Sequence, residues 1–155
     1  MARFLAASFG PLFSIVSAAE RVKSNGWGSN IAWMSLHEGM QKVYTEKKPM
    51  MLVIHKMTCP ACVHLKRKVS NSSEIQALSK SFVMVNLEYF EAPRDKDFHP
   101  DGLYIPRILF FGTDGKVMKD IVNNPQAQYK YNYPNEVNVA TSMKKVRAIL
   151  KERRS

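Results

Sequence analysis

The chain has 155 residues, which is enough for one domain with a hydrophobic core of its own. Hydrophobic residues make up 45% of the chain and charged residues 23%, and this composition excludes an intrinsically disordered protein. The formal net charge is +10, but the Lys and Arg residues are spread along the whole sequence. Because two of the three densest clusters fall on predicted helices, solvated helix faces explain the charge better than nucleic-acid binding. We therefore expect no nucleic-acid partner.

The first 19 residues are typical of a secretory signal peptide. One arginine precedes an apolar run that closes on small residues, and the run is too short to span a bilayer. We expect cleavage near Ala19, which leaves residues 20–155 as a single domain without a membrane segment. An N-terminal core or amphipathic helix is the alternative, and Gly10 and Pro11 inside the run leave it open.

Periodicity and capping signals predict helices and strands that alternate along the rest of the chain. A Ser-x-x-Glu capping box at Ser35 opens a helix to about residue 46, and the apolar run over 50–55 predicts a buried strand. The other predicted elements are, in chain order, helices over 60–69 and 74–80, strands over 82–87 and 107–111, a hairpin turn at 113–116, a returning strand over 117–122 and a last helix after Asn135. This order predicts an α/β protein whose central mixed β-sheet is flanked by helices.

The chain has only two cysteines, Cys59 and Cys62, and they lie where the predicted strand 50–55 gives way to a helix. A buried strand followed by Cys-x-x-Cys at a helix start is the thioredoxin-like redox signature. The first cysteine falls at the N-cap, where unpaired N–H groups and the helix dipole favour a thiolate. Pro60 suits the first helical position, and by stiffening the helix start it is a candidate for tuning the redox couple. The alternative is that Pro60 is only a good first helical residue.

The spacing of the pair indicates redox chemistry in preference to structural cross-linking. A disulfide between residues so close in sequence restricts the unfolded chain little, and secreted domains that depend on disulfides use more of them. We expect Cys59 to be the nucleophile and Cys62 to resolve the mixed disulfide. The alternatives are a buried, inert pair and a metal site completed by His55 and His64. A zinc site normally needs a second ligand pair elsewhere, so we expect no metal.

Several further segments carry a resemblance to a known family. These segments are residues 26–28, 48–56, 82–88, 97–102 and 104–110. Together they resemble the small thioredoxin relatives of the endoplasmic reticulum, the group of thioredoxin domain-containing protein twelve and the anterior gradient proteins. The resemblance extends from about residue 26 to residue 133. It implies a thioredoxin-like fold and thiol–disulfide oxidoreductase activity in the secretory pathway.

The resemblance also implies roles for residues outside the cysteine pair. Pro106 matches a cis-proline opposite the cysteines, where Ile105 and Pro106 present backbone groups to an extended substrate; an ordinary proline at the start of a strand is the alternative. Independently of the resemblance, Lys56 lies three residues before Cys59 and is a candidate for lowering the pKa of that thiol by its charge; a solvent-facing lysine is at least as good an explanation. Val53 stands where typical thioredoxins place a buried carboxylate, which predicts slow resolution by Cys62 unless Glu88 or water substitutes for that carboxylate.

Anterior gradient proteins typically carry a serine in the second position, so Cys62 places this chain with the catalytically complete branch. Two departures from that branch qualify the resemblance. The dipeptide between the cysteines is Pro60-Ala61 where that branch usually has Gly-Ala. The chain ends Lys-Glu-Arg-Arg-Ser, without the family's usual retention tetrapeptide. Both the endoplasmic reticulum lumen and secretion therefore stay open as locations.

The preferred interpretation is a glutathione-linked protein-disulfide reductase or oxidase of the secretory pathway. Its clients would be proteins with thiols or disulfides, and glutathione would be its redox partner. We expect no bound cofactor and no membrane association of the mature form. We expect a monomer or a weak dimer. The alternative is a thioredoxin-fold chaperone or adaptor that holds clients in mixed disulfides. Cys62 favours the enzyme, because a stable trap works better without a resolving thiol.

Overall fold

The computed structural model describes residues 23–155, so the expected signal peptide lies outside the described residues. Helices and strands follow one another along the described part of the chain, with two consecutive helices after the second strand. The elements are β1 (Trp33–Met34), α1 (Leu36–Glu46), β2 (Met50–His55), α2 (Pro60–Ser70), α3 (Ser73–Ser79), β3 (Val83–Glu88), a short 3-10 turn (Lys96–Phe98), β4 (Arg107–Phe111) and α4 (Glu136–Arg154). Within residues 23–155, no helix is long and apolar enough to cross a membrane.

The four strands form one mixed sheet in the order β1-β3-β2-β4. The strands β1, β3 and β2 run parallel, and β4 runs antiparallel to β2. All six residues of the inner strand β2 are buried, as its continuous apolar run predicts. Apolar clusters that include helical residues cover both faces of the sheet. The predicted α/β class, with a mixed sheet flanked by helices, is confirmed.

Alternation along β2 divides the core into two clusters. Val53 belongs to the cluster that contains apolar residues of α2, α3 and α4, whereas Leu52 belongs to the one that contains Val43 of α1. Leu65 and Val69 anchor α2 in the first cluster. The helix that begins with the cysteine pair is thereby fixed against the strand that precedes it.

The predicted returning strand over 117–122 is wrong. The turn before it forms, but only an isolated bridge joins Phe111 and Val117. If this antiparallel pairing continued, residues 117–122 would extend along β4 from Phe111 to beyond Ile108. The backbone N–H of Ile108 instead donates to the carbonyl of Tyr131 at 2.9 Å. A later part of the chain therefore occupies the edge of β4 that the hairpin needs.

The strand β1 was not expected, because its two residues are too short for any periodic signal. Trp33 pairs with Met84 and Met34 with Val85, at the outer edge of β3. The short 3-10 turn was not expected either. The other strands and the α-helices begin within a residue of their predicted starts. For the helices the caps are the reason: Ser35 accepts a hydrogen bond from the backbone N–H of Glu38 at 3.2 Å, as the capping box predicts.

Candidate active site at the first turn of helix α2

Cys59 occupies the N-cap of α2, with an extended backbone (φ −74°, ψ 121°), and Pro60 is the first helical residue. The Sγ atom of Cys59 accepts a hydrogen bond from the backbone N–H of Cys62 at 3.3 Å. This N–H is one of those that a helix start leaves without a backbone partner. The sulfur therefore lies where a negative charge is stabilised by an amide and by the helix dipole.

The two cysteines, both free thiols, differ sharply in exposure. Cys59 is half-buried, whereas Cys62 is 1% exposed and packs one turn inside the helix. Burial raises the pKa of the Cys62 thiol to about 12, and its hydrogen bond with Cys59 acts in the same direction. A hydrogen bond with the backbone of Lys56 acts in the opposite direction and lowers the pKa of Cys62 in part. At neutral pH an incoming disulfide can reach Cys59, and Cys62 is held as a thiol.

The side chain of Lys56 is exposed and extends toward an aromatic ring. Its ammonium nitrogen lies 5.4 Å from the centroid of the Tyr89 ring, within the range of a cation–π interaction. In the described part of the chain, Lys56 donates no hydrogen bond to the sulfur of Cys59. Its effect on the pKa of Cys59 thus stays a prediction.

The sheet brings the predicted substrate-binding residues to the same end as the cysteines. The Ile105–Pro106 peptide bond is cis, as the resemblance implies. In the antiparallel register Ile54 lies opposite Arg107, so that Pro106 comes next to His55, four residues before the first cysteine. The carbonyl of Pro106 accepts a hydrogen bond from Asn132 Nδ2 at 3.0 Å.

Arg107 follows the cis-proline as the first residue of β4. Its guanidinium is buried and donates to the carbonyls of Phe98 (from Nε) and Tyr104 (from Nη1), both at 2.9 Å. Burial lowers the pKa of this group from its ordinary value. Arg107 therefore fixes the loop that leads into Pro106.

A buried polar cluster beneath the site was missed by the sequence analysis. The Nε2 atom of His55 lies 3.3 Å from Oδ1 of Asn86 on the neighbouring strand. Asn86 Nδ2 donates to the carbonyls of Lys23 and Ser24, and Asn86 Oδ1 accepts from Asn25 Nδ2 at 2.6 Å. Because the amide nitrogen faces two carbonyls, its oxygen faces the imidazole, and we assign the proton of neutral His55 to Nε2.

The other ring nitrogen of His55 has no hydrogen-bond partner among the described residues, although the residue is fully buried. The Trp27 ring packs edge-on against the imidazole at 5.3 Å between centroids, and its buried Nε1 also has no partner within residues 23–155. Burial lowers the pKa of His55, so the residue is neutral at pH 7. The only sequence signal for this cluster is a polar side chain in each of two apolar runs.

The position expected to hold a carboxylate is apolar. Val53 is fully buried in β2. Glu88 lies at the end of β3, where its Oε1 accepts a hydrogen bond from the backbone N–H of Met57 at 3.3 Å. This carboxylate holds the turn that leads to Cys59. Among residues 23–155, no three metal-ligating side chains come together.

A dithiol on the first turn of a helix, preceded by an inner parallel strand and opposite a cis-proline, defines a thioredoxin-fold dithiol protein. Residues 32–113 match the family model described as thioredoxin-like. A solved structure titled DsbH oxidoreductase superposes with a TM-score of 0.54 and 15% identity, covering 77% of this chain and 87% of that one. At that identity, the likeness shows the fold alone.

Curated relatives place the chain more narrowly. Anterior gradient protein 2-B of Xenopus laevis is 34% identical over 130 residues, which cover 83% of this chain and 78% of the relative. The anterior gradient protein 2 homolog of Homo sapiens is 35% identical over 130 residues, covering 83% and 73%. The chain belongs to the anterior gradient proteins of the thioredoxin-like family.

Proposed function

We propose that the protein is a thiol–disulfide oxidoreductase that uses Cys59 and Cys62 as a dithiol/disulfide couple on client proteins of the secretory pathway. The observation that carries this proposal is the contrast between a half-exposed sulfur at the N-cap and a buried sulfur one turn inside. A structural cross-link would not need one accessible thiol, and so short a loop would stabilise the fold little. Membership in the anterior gradient group supports a disulfide-related role and a location in the endoplasmic reticulum lumen or outside the cell.

In the reducing direction, the thiolate of Cys59 attacks one sulfur of a client disulfide. The client's S–S bond breaks, its other sulfur leaves as a thiolate and takes up a proton, and a mixed disulfide with Cys59 remains. Cys62 then loses its proton and attacks Cys59 Sγ, which releases the second client thiolate and passes two electrons to the client. Two molecules of glutathione would reduce the resulting Cys59–Cys62 disulfide and become one glutathione disulfide. Client oxidation is the reverse sequence.

Ile105 and Pro106 are the proposed contacts for an extended client segment. Since the Pro106 carbonyl already accepts a hydrogen bond from Asn132, Ile105 is the residue whose backbone groups would pair with the client. Exposed apolar side chains flank the site: Met57 belongs to the turn before the cysteines, and Phe90, which is 71% exposed, follows Tyr89, whose backbone N–H donates to the carbonyl of His55 at 2.7 Å. They offer contact area for the apolar residues of an incompletely folded client.

A second function is favoured by one observation, the environment of Cys62. A buried thiol with a pKa of about 12 carries little thiolate at neutral pH, and the buried Val53 supplies no carboxylate to take its proton, so the mixed disulfide lives longer. A long-lived mixed disulfide suits a chaperone or adaptor that retains its clients. Lys56 and Pro60, the proposed tuning residues, would set the lifetime of the adduct in that case too.

Titration of the purified protein in glutathione redox buffers, with thiol trapping and intact-mass readout, tests the couple itself. We expect one reversible two-electron transition. Secretory oxidoreductases work against a glutathione poise of about −180 to −210 mV, and the midpoint relative to that poise gives the preferred direction. A pair that does not titrate, or that retains zinc through purification, would rule out the oxidoreductase.

The Cys62→Ser variant distinguishes the enzyme from the adaptor. As an oxidoreductase the protein loses turnover and accumulates client adducts on Cys59, since no thiol remains to release them. As an adaptor it keeps its client-binding function. Cys59→Ser is the matched control, because it removes the nucleophile and should abolish adducts altogether.

A further inference from the structure

A groove with positively charged sides lies at the end of the sheet opposite the cysteines. It encloses about 570 Å³ between the C-terminal half of α4, the end of α3 and the start of β2. Its floor is apolar: of the residues that line it, Pro49, Leu78 and Leu150 are buried, and Ala148 lies beside them at the surface. Of the residues that line the groove, none is acidic. We call this feature the basic groove.

The cations of the basic groove come from one face of α4. They are Lys144, Arg147, Lys151 and Arg154, spaced by three, four and three residues. Residues at these spacings share a helix face, and ten residues of helix extend for about 15 Å. The row of cations is therefore about three helical turns long and lies beside the apolar floor of the groove.

Two of these cations have partners, and two do not. Lys144 pairs with Glu74 of α3, and the Arg154 guanidinium donates to the carbonyl of Lys47 at 3.1 Å, which fixes the end of the row. In the described part of the chain, Arg147 and Lys151 make neither an ion pair nor a hydrogen bond. The centre of the basic groove therefore carries two uncompensated positive charges above an apolar floor.

We propose that the basic groove binds an acidic amphipathic helix of a partner protein. Carboxylates at i, i+3, i+7 and i+10 of such a helix repeat at the spacing of the cations. The apolar side chains of the same helix would pack on the apolar floor of the groove. A flat anionic membrane surface would meet the exposed cations without reaching the recessed floor. A nucleic-acid backbone would meet the charges and bring no apolar side chain to the floor.

The position of the groove leaves the cysteines free. Pro49, on its floor, precedes β2 and Cys59 follows it, and the six residues of β2 span about 20 Å. A partner helix and a client can therefore be bound together, on opposite ends of the sheet. The inference does not depend on the redox activity of the pair.

The test is fluorescence anisotropy with a labelled synthetic peptide that places Glu at i, i+3, i+7 and i+10 and Leu between them on one helix face. The same peptide with Gln at the four positions is the matched probe. We expect the Glu peptide to bind at least tenfold more tightly than the Gln peptide. Arg147→Glu combined with Lys151→Glu should weaken Glu-peptide binding at least tenfold. The variant Lys116→Glu with Lys119→Glu makes the same charge change at exposed positions outside the groove and should bind nearly as the parent does.

Equal losses in the two double variants would show general charge attraction and overturn the proposal, as would equal binding of the two peptides. Phosphatidylserine vesicles and duplex DNA serve as competing probes, and tighter binding of either one would also overturn it. Circular dichroism melting controls for folding. If the double Glu variant melts early, Arg147→Gln with Lys151→Gln replaces it, and retained binding of the Glu peptide by that variant would count against the groove.

Discussion

Val53 lies in the core two residues before His55, and no carboxylate stands in its place to take the proton of Cys62. We expect Val53→Glu to speed the release of a peptide held on Cys59, because a buried carboxylate accepts that proton. Positioned general bases accelerate reactions by about a hundredfold or more, and we expect an acceleration of at least about tenfold here. The measurement is the rate of peptide release from a preformed mixed disulfide at pH 7.

Val53→Gln is the control for this experiment. It matches glutamate in shape and introduces a polar group, but it accepts no proton. Both variants should lower the free energy of unfolding, by about 1–3 kcal/mol, because they bury a polar group in an apolar site. Equal release rates for the Glu and Gln variants would show that proton acceptance at this position is not what limits Cys62.

His55 should make the stability of the protein fall on acidification. Burial depresses its pKa below the value in the unfolded chain, so the unfolded state binds the proton more readily. Above pH 6.5 His55 is neutral in both the folded and the unfolded state, and its full contribution to stability is present. The free energy of unfolding falls as the pH drops from 6.5 through the lower folded-state pKa. Asn86 and Glu88 on β3 act to raise this pKa and Lys66 on α2 to lower it, but burial dominates.

Urea unfolding at pH 7.5 and pH 5.5, on the parent and on His55→Gln, measures the contribution of His55. Glutamine offers an N–H to Asn86 and does not titrate, and the other three histidines are common to both proteins. The parent should lose more stability between the two pH values than the variant. An equal loss would place the acid sensitivity elsewhere.

Helix α2 begins with two features that bear on the redox couple: the sulfur of Cys59 at its N-cap and Pro60 as its first residue. Replacing Pro60 by Gly loosens the first turn and should weaken the support that the helix amides give to the Cys59 thiolate. We expect a more negative reduction potential, by about 30 mV, which corresponds to tenfold in the equilibrium constant. Ala61→Gly adds the same flexibility one residue on and is the control. A potential unchanged by Pro60→Gly would leave the proline with a purely structural role.

Helix α1 packs so closely on the sheet that one of its residues can only be glycine. A Cβ atom on Gly39 would lie 2.7 Å from Cγ2 of Val85 and 3.2 Å from Cγ1 of Val83. Alanine gains about 1 kcal/mol in helix propensity, but overpacking costs about 1–3 kcal/mol. Gly39→Ala should therefore destabilise the protein, measured by urea unfolding, whereas Gln41→Ala on the exposed face should be nearly neutral. A stabilised Gly39→Ala would mean that α1 can shift away from the sheet.

The elements that the sequence predicts well carry local signals. Ser72 and Asn135 accept hydrogen bonds from backbone N–H groups at 3.1 and 2.9 Å, so both helix starts could be read from neighbouring residues. The expected strand over 117–122 failed because its partner position is taken by Tyr131, and no local pattern contains that competition. The contact of His55 with Asn86 joins residues 31 positions apart, which also lies beyond a periodicity argument.

The cysteine pair was predictable for the same local reason: spacing, N-cap and strand lie within thirteen residues. The positions of Ile105 and Pro106 needed the family resemblance, since sequence alone favours a trans peptide bond. The basic groove was not predicted at all. Its cations are evident on α4, but its floor combines α3, α4 and the start of β2, which only the folded chain brings together.

At the scale of the whole molecule, positive charge exceeds what the fold neutralises. The chain has 23 Lys and Arg against 13 Asp and Glu. Four ion pairs form among the described residues, all at least partly exposed. Exposed pairs contribute about 0–1 kcal/mol each, and salt screens them. The repulsion among the remaining cations is screened as well, and the two effects oppose one another.

We expect repulsion to be the larger effect, so that salt stabilises the protein. The Debye length shortens from about 30 Å at 0.01 M to about 8 Å at 0.15 M salt, which removes repulsion between cations on different elements. The free energy of unfolding should rise by about 0.5 kcal/mol or more between these concentrations of NaCl, measured by thermal or urea unfolding. The double variant Arg147→Glu with Lys151→Glu lowers the net charge from +10 to +6 (two charges reversed, 10 − 4) and should respond less. If salt instead lowered the free energy of unfolding of the parent, the ion pairs would contribute more than the repulsion. The excess cations would then lie too far apart to destabilise the folded state.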